Sequence, residues 1–338
     1  MRLTDALDAL LSRRLTEQES YDVLIEIFQG SADIEDIKQL LVILSQDKGE
    51  TVDEIVGFAR AMRDHMTQVH LKKPMLDLCG TGGSGQDRFN ASTAAAFVLA
   101  AGGVPVAKHG NRGSKKPNGS FDFLEALGIP FEHTADQCAA LFDQTNLCFL
   151  FARQFHPAMK YVAPARQAVG HRTLFNLLGP LCNPAGATHQ ILGTLSNEIA
   201  NKLAQALMRL GTNRTLVIVG HNGLDELSLT GKSEYYEVKS NEIKPHLFIP
   251  ESNSADLLPV GNAIENAAQF LTVLQDKNAL ADLRQFIALN AAAGFYCMNR
   301  VEKINDGIKL ANDLITSGEV YRFLETYKIQ ANRISAIS

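Results

Sequence analysis

From Pro74 onward, short apolar runs alternate with helical stretches, and this alternation constrains the fold more than any other feature of the sequence. The runs MLDLC, VPVAK, LCFLFA and TLVIVG have the length and composition of buried strands, whereas STAAAFVLAAG and FDFLEALG are typical of helices. Strands that alternate with helices usually pair in parallel, and the helices cover the sheet. The sequence therefore predicts an α/β fold with a mainly parallel central sheet.

The first part of the chain is predicted to be helical. Thr16 and Glu19 have the spacing of a capping box ahead of the stretch YDVLIEIF, and Thr51 and Glu54 repeat it ahead of IVGFARAM. These helices carry more apolar surface than one small bundle can hide. We therefore expect a second copy of the chain to cover the remainder, which gives a homodimer.

The segment GHRTLFNLLGPLCNPAGAT interrupts the alternation with glycine, proline and asparagine, which indicates a crossing between two regions. We predict a helical region of residues 1–70 that is joined by residues 166–190. The α/β region then comprises residues 71–165 and 191–338, and its last part is again mostly helical.

Composition limits the classes of function. The net charge of −5 argues against extensive nucleic-acid binding, and no apolar run is long enough to span a bilayer. The start of the chain has no apolar signal-peptide segment. The 5 cysteines are scattered without metal-ligand spacing. We therefore expect a reduced cytoplasmic protein.

A dense glycine cluster follows the first predicted strand, in DLCGTGGSGQDRFNAST. Main-chain N–H groups at the start of the next helix attract anions, and glycines let the backbone approach phosphate oxygens closely. Asn90, Ser92 and Thr93 add polar side chains in the first turn of that helix. The Rossmann dinucleotide-binding motif and the P-loop motif GxxxxGK[ST] are excluded, because the glycine spacing of neither is present. A tight turn with a helix cap is the other interpretation of the cluster.

Two further polar loops follow predicted strands. The second loop, KHGNRGSKKPNGS, contains basic and small polar residues, and in the third Asp225 and Glu226 come just after LVIVG. Ligands of open α/β sheets gather at the carboxyl ends of the strands, so these loops should face one cleft. Mg²⁺ prefers one or two carboxylates together with water and substrate phosphates. The pair therefore suggests a Mg²⁺ site, although such a pair taken alone is more often a solvated surface.

Six motifs in order resemble the anthranilate phosphoribosyltransferase family. They are GTGGSG…NAST, KHGNR, Gly119-Ser120, HPAMKYVAPAR, FNLLGPLCNP and LDELS, and the similarity covers residues 75–235. The resemblance implies a fold like that of nucleoside-phosphorylase-like transferases. It also implies transfer of a 5-phosphoribosyl group from phosphoribosyl pyrophosphate to the amine of anthranilate, with release of pyrophosphate, in tryptophan biosynthesis.

The resemblance also implies roles for individual residues. The metal ligands would be Ser92, Asp225 and Glu226, with Mg²⁺ as the cofactor. The residues that would bind phosphoribosyl pyrophosphate are Gly80, Thr81, Gly82, Gly83, Ser84, Arg88, Asn90, Ser92, Thr93, Lys108, Lys115, Lys116 and Ser120. Those that would bind anthranilate are Gly80, His109, Asn111 and Arg166, and Arg166 would meet the acceptor carboxylate. No residue is assigned as an acid or base, although His109 is a candidate.

This sequence departs from the family pattern in both glycine loops. Ser84 stands where the family usually has Asp, and the second loop differs at Lys115, Lys116, Pro117, Asn118 and Phe121. Two alternatives therefore stay open. One is a transferase of the same fold with another aromatic acceptor. The other is a paralogue that has lost catalysis and binds nucleic acid through Lys108, Arg112, Lys115 and Lys116.

Overall fold

In a computed structural model of the chain, the structure describes residues 1–47, 49–82, 88–113, 116–251 and 261–336. The N-terminal part is helical, as predicted. Its helices are α1 (Leu3–Ser12), α2 (Glu17–Phe28), α3 (Ile34–Val42), which continues as a π-helical turn (Ile43–Asp47), and α4 (Val52–Asp64).

Both predicted capping boxes form. The Glu19 N–H donates to the Thr16 hydroxyl at 3.2 Å, and the Thr16 N–H donates to the Glu19 carboxylate at 2.9 Å. Thr51 and Glu54 make the same pair of bonds at the start of α4, at 3.3 and 2.8 Å. Each box satisfies N–H groups that have no partner inside the helix, which explains why α2 and α4 begin at these residues.

Glu54 also joins α4 to the chain before α2. Its carboxylate is 0% exposed, accepts the Leu15 N–H at 3.2 Å and pairs with Arg14. Replacing Glu54 with Gln is expected to lower the free energy of unfolding by about 2–3 kcal/mol, because it leaves a buried guanidinium without its carboxylate. Glu19→Gln is the matched control, since that carboxylate is more exposed, and it should cost less than about 1 kcal/mol. Equal losses in urea unfolding of the two variants would contradict this role of Glu54.

Seven strands form one sheet within the described residues, in the order β3-β2-β1-β4-β5-β6-β7. The strands are β1 (Leu76–Gly80), β2 (Val106–Gly110), β3 (Leu147–Phe151), β4 (His189–Gly193), β5 (Arg214–Val219), β6 (Ser233–Lys239) and β7 (Glu242–Phe248). The first five are parallel, and β6 and β7 add an antiparallel hairpin. The predicted α/β fold class with a mainly parallel sheet is confirmed.

The remaining helices follow β1 along the chain, and most of them connect or cover the strands. They are α5 (Ala91–Ala101), α6 (Ser120–Ala126), α7 (Ala135–Thr145), α8 (Ala152–Phe155), α9 (Ala163–Val169), α10 (Leu174–Leu178), α11 (Asn197–Arg209), α12 (Ala263–Gln275), α13 (Ala281–Cys297), α14 (Ile304–Thr316) and α15 (Glu319–Ser335). No helix in the described ranges has both the length and the apolar character that crossing a membrane requires.

Two large apolar clusters pack on the sheet. One contains α5, α12, α13, α14 and α15 together with side chains such as Leu76 and Leu216. The other joins the N-terminal helices to residues 162–182, to α11 and to Leu192 and Val217 of the sheet. This second cluster extends into α11, beyond residue 190. The predicted boundaries of the two regions stay a prediction.

Candidate active site

The candidate site lies where the parallel strands end. β1 and β4 finish side by side, with Gly80 opposite Gly193, and the Thr81 N–H donates to the Gly193 carbonyl at 2.9 Å. β5 lies beside β4, and the loop after β5 carries Asp225 and Glu226. The structure therefore brings the first and third predicted loops to one edge of the sheet, as the parallel arrangement requires.

The first glycine loop provides hydroxyl groups without protein partners. Gly82 has a φ of +61°, in the left-handed region that glycine adopts easily. The side-chain oxygens of Thr81 and Thr93 are buried and have no hydrogen-bond partner in the described structure. Thr93 lies in the first turn of α5, where main-chain N–H groups also favour anions. Buried hydroxyls normally find a partner, so these two point to a ligand that supplies oxygen atoms. Gly83 and Ser84 lie outside the described residues.

Asp225 is held by close packing against two glycines. A Cβ atom at Gly193 would lie 1.7 Å from the Asp225 carbonyl oxygen, and one at Gly80 would lie 2.8 Å from its Oδ2. Glycine at these positions lets the third loop close on the strand ends. Arg88 completes the arrangement, with its Nη1 2.6 Å from Asp225 Oδ1 and its Nη2 3.5 Å from the Gly223 carbonyl oxygen.

Glu226, the second member of the carboxylate pair, is half-buried. Its Oε2 is buried without a hydrogen-bond partner in the described structure. Burial and the adjacent Asp225 raise the pKa of the Glu226 carboxyl well above its usual range. The Asp225 side chain is only 14% exposed. The expectation that both carboxylates lie on a solvated loop is therefore wrong, because the glycines of β1 and β4 let this loop pack against the sheet.

Ser92, Asp225 and Glu226, the three predicted metal ligands, line one small cavity of about 20 Å³ at the strand ends. A cavity of that size holds about one water molecule or ion. The described residues contain no group of three or more His, Cys, Asp or Glu side chains that could hold a metal. Two carboxylates and a hydroxyl are the kind of protein ligands that a Mg²⁺ ion combines with water and substrate oxygens. A larger cavity, of about 370 Å³, lies between the end of α12 and the α14–α15 turn and is not near these side chains.

Lys108 is buried in the sheet. Its Nζ donates to the Leu78 carbonyl at 2.6 Å, and its side chain is among the largest fully buried ones. Burial lowers the pKa of Lys108, whereas the charges of Asp77, Cys79 and Glu226 oppose that shift. The predicted contact of Lys108 with substrate phosphate stays a prediction, because here the ammonium donates to a main-chain carbonyl.

The second loop packs tightly at the end of β2. Ser120 begins α6, and a Cβ at Gly110 would lie 3.2 Å from the Ser120 hydroxyl oxygen. Asn111 and Lys116 are exposed, and the Asn111 side chain accepts the Arg112 N–H at 2.8 Å. Lys115 lies outside the described residues. Ser120, Asn111 and Lys116 are thus beside the β2 end, as the predicted cleft requires.

The basic stripe of the nucleic-acid alternative does not form in the described structure. Lys108 is 1% exposed. Arg112 pairs with Asp122 at 3.0 Å and with Glu125 at 2.8 Å, and its guanidinium lies over the Phe131 ring. A cation that is buried or neutralised by two carboxylates adds little to a phosphate-binding surface.

Three asparagines connect the two glycine loops to α12. The Asn266 amide donates to the Arg88 carbonyl at 3.0 Å, to Asn90 Oδ1 at 3.0 Å and to Asn118 Oδ1 at 3.1 Å. Asn118 in turn donates to the Arg88 carbonyl at 2.9 Å, and Asn90 donates to the Asn118 carbonyl at 3.1 Å. Asn118 is one of the departures from the family pattern, and its side chain fixes the second loop to the first.

His109 forms a buried pair with His156, which sequence reasoning left without a role. The two Nε2 atoms are 3.3 Å apart, and His109 Nδ1 donates to the Gly179 carbonyl at 3.2 Å. Burial, together with His156, lowers the pKa of His109 well below its usual range, and burial lowers the pKa of His156 to about 4. Both rings are therefore neutral near pH 7, and His109 is suited to packing or hydrogen bonding rather than to carrying a charge.

The histidine pair is expected to make the fold sensitive to acid. The unfolded chain protonates histidine below about pH 6.5, whereas the folded chain resists until its lower pKa is reached. The free energy of unfolding should therefore fall as the pH drops below about 6.5, by up to about 1.4 kcal/mol per pH unit for each histidine. Urea unfolding between about pH 5 and 7 should show a smaller slope for His156→Gln than for the wild type. The same slope in both would contradict this origin of the acid sensitivity.

Arg166 lies in α9 and is half-buried. Its guanidinium lies 5.4 Å from the centre of the Phe175 ring, and burial lowers the pKa of Arg166. Among the described residues, no carboxylate lies within ion-pair distance of it. A buried guanidinium without a carboxylate partner is costly unless a ligand supplies one.

Two family models match the chain. Residues 4–66 match the helical bundle domain of the glycosyl transferase family, and residues 72–321 match the a/b domain of that family. The fold and the two matched domains together define a glycosyltransferase.

The chain belongs to the anthranilate phosphoribosyltransferase family. It is 42% identical over 311 residues to the anthranilate phosphoribosyltransferase of Halalkalibacterium halodurans, covering 90% of this chain and 91% of that protein. The crystal structure of the Thermus thermophilus enzyme superposes with a TM-score of 0.89 at 41% identity, covering 97% of this chain and 99% of that one. The Saccharomyces cerevisiae enzyme in complex with phosphoribosyl pyrophosphate (PRPP) and Mg also gives a TM-score of 0.89, at 29% identity and 98% coverage of both chains. The same yeast enzyme in complex with 4-fluoroanthranilate gives 0.86 at 28% identity, again with 98% of both chains covered.

Proposed function

We propose that this chain transfers the 5-phosphoribosyl group of phosphoribosyl pyrophosphate (PRPP) to the amine of anthranilate and releases pyrophosphate. One observation carries the proposal: Ser92, Asp225 and Glu226 line one cavity at the strand ends, beside a glycine loop with two buried, unpartnered threonine hydroxyls. Such a site suits a metal ion and an anion together. The yeast relative solved with PRPP and Mg supports this assignment of both ligands.

The reaction needs little from a general base. The amine of anthranilate is neutral at pH 7, and its lone pair forms the new N–C bond with the anomeric carbon of the ribose. The C–O bond to pyrophosphate breaks with its electrons on oxygen, and the amine gives up one proton. Positive charge develops on the ribose while negative charge grows on pyrophosphate, so alignment and fixed donors lower the barrier.

The donors for the leaving group would come from the first loop and the start of α5. We propose that the loop of Gly80, Thr81, Gly82 and Gly83 lines the pyrophosphate, and that Ser84, Arg88, Asn90, Ser92 and Thr93 bind the phosphates and the ribose. From the second loop, Lys108, Lys115, Lys116 and Ser120 would contribute charge or hydroxyl groups. Mg²⁺, held by Ser92, Asp225 and Glu226, would neutralise charge on the departing pyrophosphate.

The acceptor would bind on the other side of the second loop. We propose that Arg166 pairs with the anthranilate carboxylate, which would supply a partner to its half-buried guanidinium. Asn111, Gly80 and His109 would contact the ring and its amine. A neutral His109, with Nδ1 bonded to the Gly179 carbonyl and Nε2 beside His156 Nε2, presents a ring face rather than a cation.

Anthranilate fluorescence tests the proposal. In the presence of PRPP and Mg²⁺, the purified chain should consume anthranilate, and omission of either should stop the loss. Nicotinate and 4-aminobenzoate serve as alternative acceptors, because each carries a carboxylate on another ring pattern. Faster turnover with one of these would replace the acceptor that we propose, and no turnover with any would contradict phosphoribosyl transfer.

We also propose a homodimer that forms through the N-terminal helices. Leu11 of α1 is 78% exposed and Ile34 of α3 is 44% exposed, which supports an apolar contact surface there. Light scattering at micromolar concentration should give twice the mass of one chain. A mass of one chain would contradict the dimer.

A further inference from the structure

The ion pair between Arg88 and Asp225 joins the first glycine loop to the loop after β5. The Nη1–Oδ1 distance is 2.6 Å, and the two side chains are only 19% and 14% exposed. The contact is therefore shielded from solvent, unlike the surface ion pairs of this chain, and such a pair holds its geometry more firmly than an exposed one.

Arg88 is one cation that offsets the charge of the carboxylate pair. Its charge opposes the upward shift that burial and Asp225 impose on the pKa of Glu226. The Asp225 backbone packs closely against Gly193, and the backbone of the adjacent Glu226 packs closely against Gly220. Asp225 therefore presents Oδ1 to Arg88, while Oδ2 faces the Gly80 side of the cavity.

A divalent cation on this carboxylate pair would lie close to the guanidinium. Two like charges repel strongly when they are shielded from water. The ion and Arg88 therefore compete for the charge of the same carboxylate, and the ion binds more favourably when the guanidinium has another anion to bind. Pyrophosphate is such an anion, and a guanidinium group forms strong hydrogen bonds with its oxygens.

We infer that Arg88 is an internal counter-ion that couples metal binding to diphosphate binding. Without diphosphate, the guanidinium neutralises Asp225 and keeps the affinity for a divalent cation low. When a diphosphate group arrives, Arg88 moves to its oxygens and frees Asp225 for the metal. The inference rests on the proposed function, which supplies the diphosphate as part of PRPP. Arg88 is then a positioning residue for the metal ligands.

Mn²⁺ binding measured by electron paramagnetic resonance tests the inference without turnover. Arg88→Gln removes the charge but keeps a hydrogen-bond donor, so it should bind Mn²⁺ alone about tenfold more tightly than the wild type. Arg88→Lys keeps the charge and should stay near the wild type. Arg209→Gln is the matched control, since Arg209 pairs with Glu17 and Asp53 on the helical part of the chain, and it should change nothing.

Pyrophosphate provides the second half of the test. In the wild type it should tighten Mn²⁺ binding by the protein, after subtraction of Mn²⁺–pyrophosphate association in buffer. In Arg88→Gln this gain should shrink by about the factor that Mn²⁺ alone has gained, because coupling between two ligands is reciprocal. If a thermal melt shows that Arg88→Gln is poorly folded, Arg88→Met provides the same readout.

The outcomes separate this inference from the proposed function. Equal or weaker Mn²⁺ binding by the neutral variants would overturn the counter-ion role, even if the wild type transfers phosphoribosyl groups. Tighter Mn²⁺ binding with no phosphoribosyl transfer by the wild type would support the competition and contradict the proposed function.

Discussion

Replacing Glu226 with Gln is expected to lower Mg²⁺-dependent turnover about 100- to 1000-fold while leaving the protein at least as stable as the wild type. The carboxylate is one of only two at the strand-end cavity, and a neutral amide is a much weaker ligand for Mg²⁺. Steady-state rates over a range of Mg²⁺ concentrations measure the loss. Saturating Mg²⁺ should restore only part of the rate.

The stability of this variant follows from the pKa of Glu226. Burial and Asp225 raise that pKa, so the folded chain keeps the proton at pH values where the unfolded chain has lost it. In the wild type, the free energy of unfolding therefore falls as the pH rises above about 4 toward the raised folded value. The amide does not titrate, and metal-free Glu226→Gln should melt at the same or a higher temperature near pH 7.

Glu125→Gln is the control for both measurements. Its carboxylate is 59% exposed, and it pairs with Arg112 on the second loop rather than with the cavity. We expect unchanged Mg²⁺ dependence and a nearly unchanged melting temperature. Wild-type kinetics for Glu226→Gln would show that the carboxylate pair does not hold the metal.

Arg166→Ala is expected to raise the KM for anthranilate about ten- to a hundredfold and to leave the KM for PRPP nearly unchanged. Loss of a charge-assisted hydrogen bond costs about 1.5–3 kcal/mol, which corresponds to that range of affinity. Because Arg166 is half-buried and has no carboxylate partner among the described residues, its removal should change the melting temperature little. Kinetics with each substrate varied in turn, together with a thermal melt, measure both effects.

Two comparisons make the Arg166 result interpretable. Arg166→Lys keeps a charge without the two-pronged geometry and should recover part of the anthranilate affinity. Aniline lacks the carboxylate and should be a poor acceptor. Its kcat/KM should be the same for the wild type and for Arg166→Ala. Equal damage to both substrates with a lowered melting temperature would mean that Arg166 braces the chain between α9 and Phe175 instead.

The sequence predicted the elements whose determinants are local. Capping boxes at Thr16 and Thr51 and the apolar runs that became β1, β2, β3 and β5 depend on residues near each other in the chain. β4 was missed because it starts with His189 and Gln190 and has only Ile191 and Leu192 as apolar residues. The β6–β7 hairpin was missed because charged residues alternate along it. Its period of two and the turn residues Ser240 and Asn241, both with positive φ, could have identified it.

Long-range packing explains what the sequence did not reveal in the site. Asp225 lies in the loop after β5, and its burial depends on Gly193 at the end of β4. Lysine is usually exposed, so nothing near Lys108 in the chain indicated that Leu78 would bind its ammonium. Asn266 joined the site through α12, far along the chain, and the His109–His156 pair forms between two motifs that the sequence reasoning had found separately.

The central claim is that the strand-end site transfers a phosphoribosyl group to anthranilate, and a stoichiometric assay tests it most directly. Pyrophosphate release and anthranilate loss are followed in the same reaction with PRPP and Mg²⁺, and the mass of the product is measured by mass spectrometry. We predict one pyrophosphate for each anthranilate consumed, a product with the mass of phosphoribosyl anthranilate, and no reaction after chelation of the metal. Pyrophosphate release without anthranilate loss, or no release at all, would contradict the account.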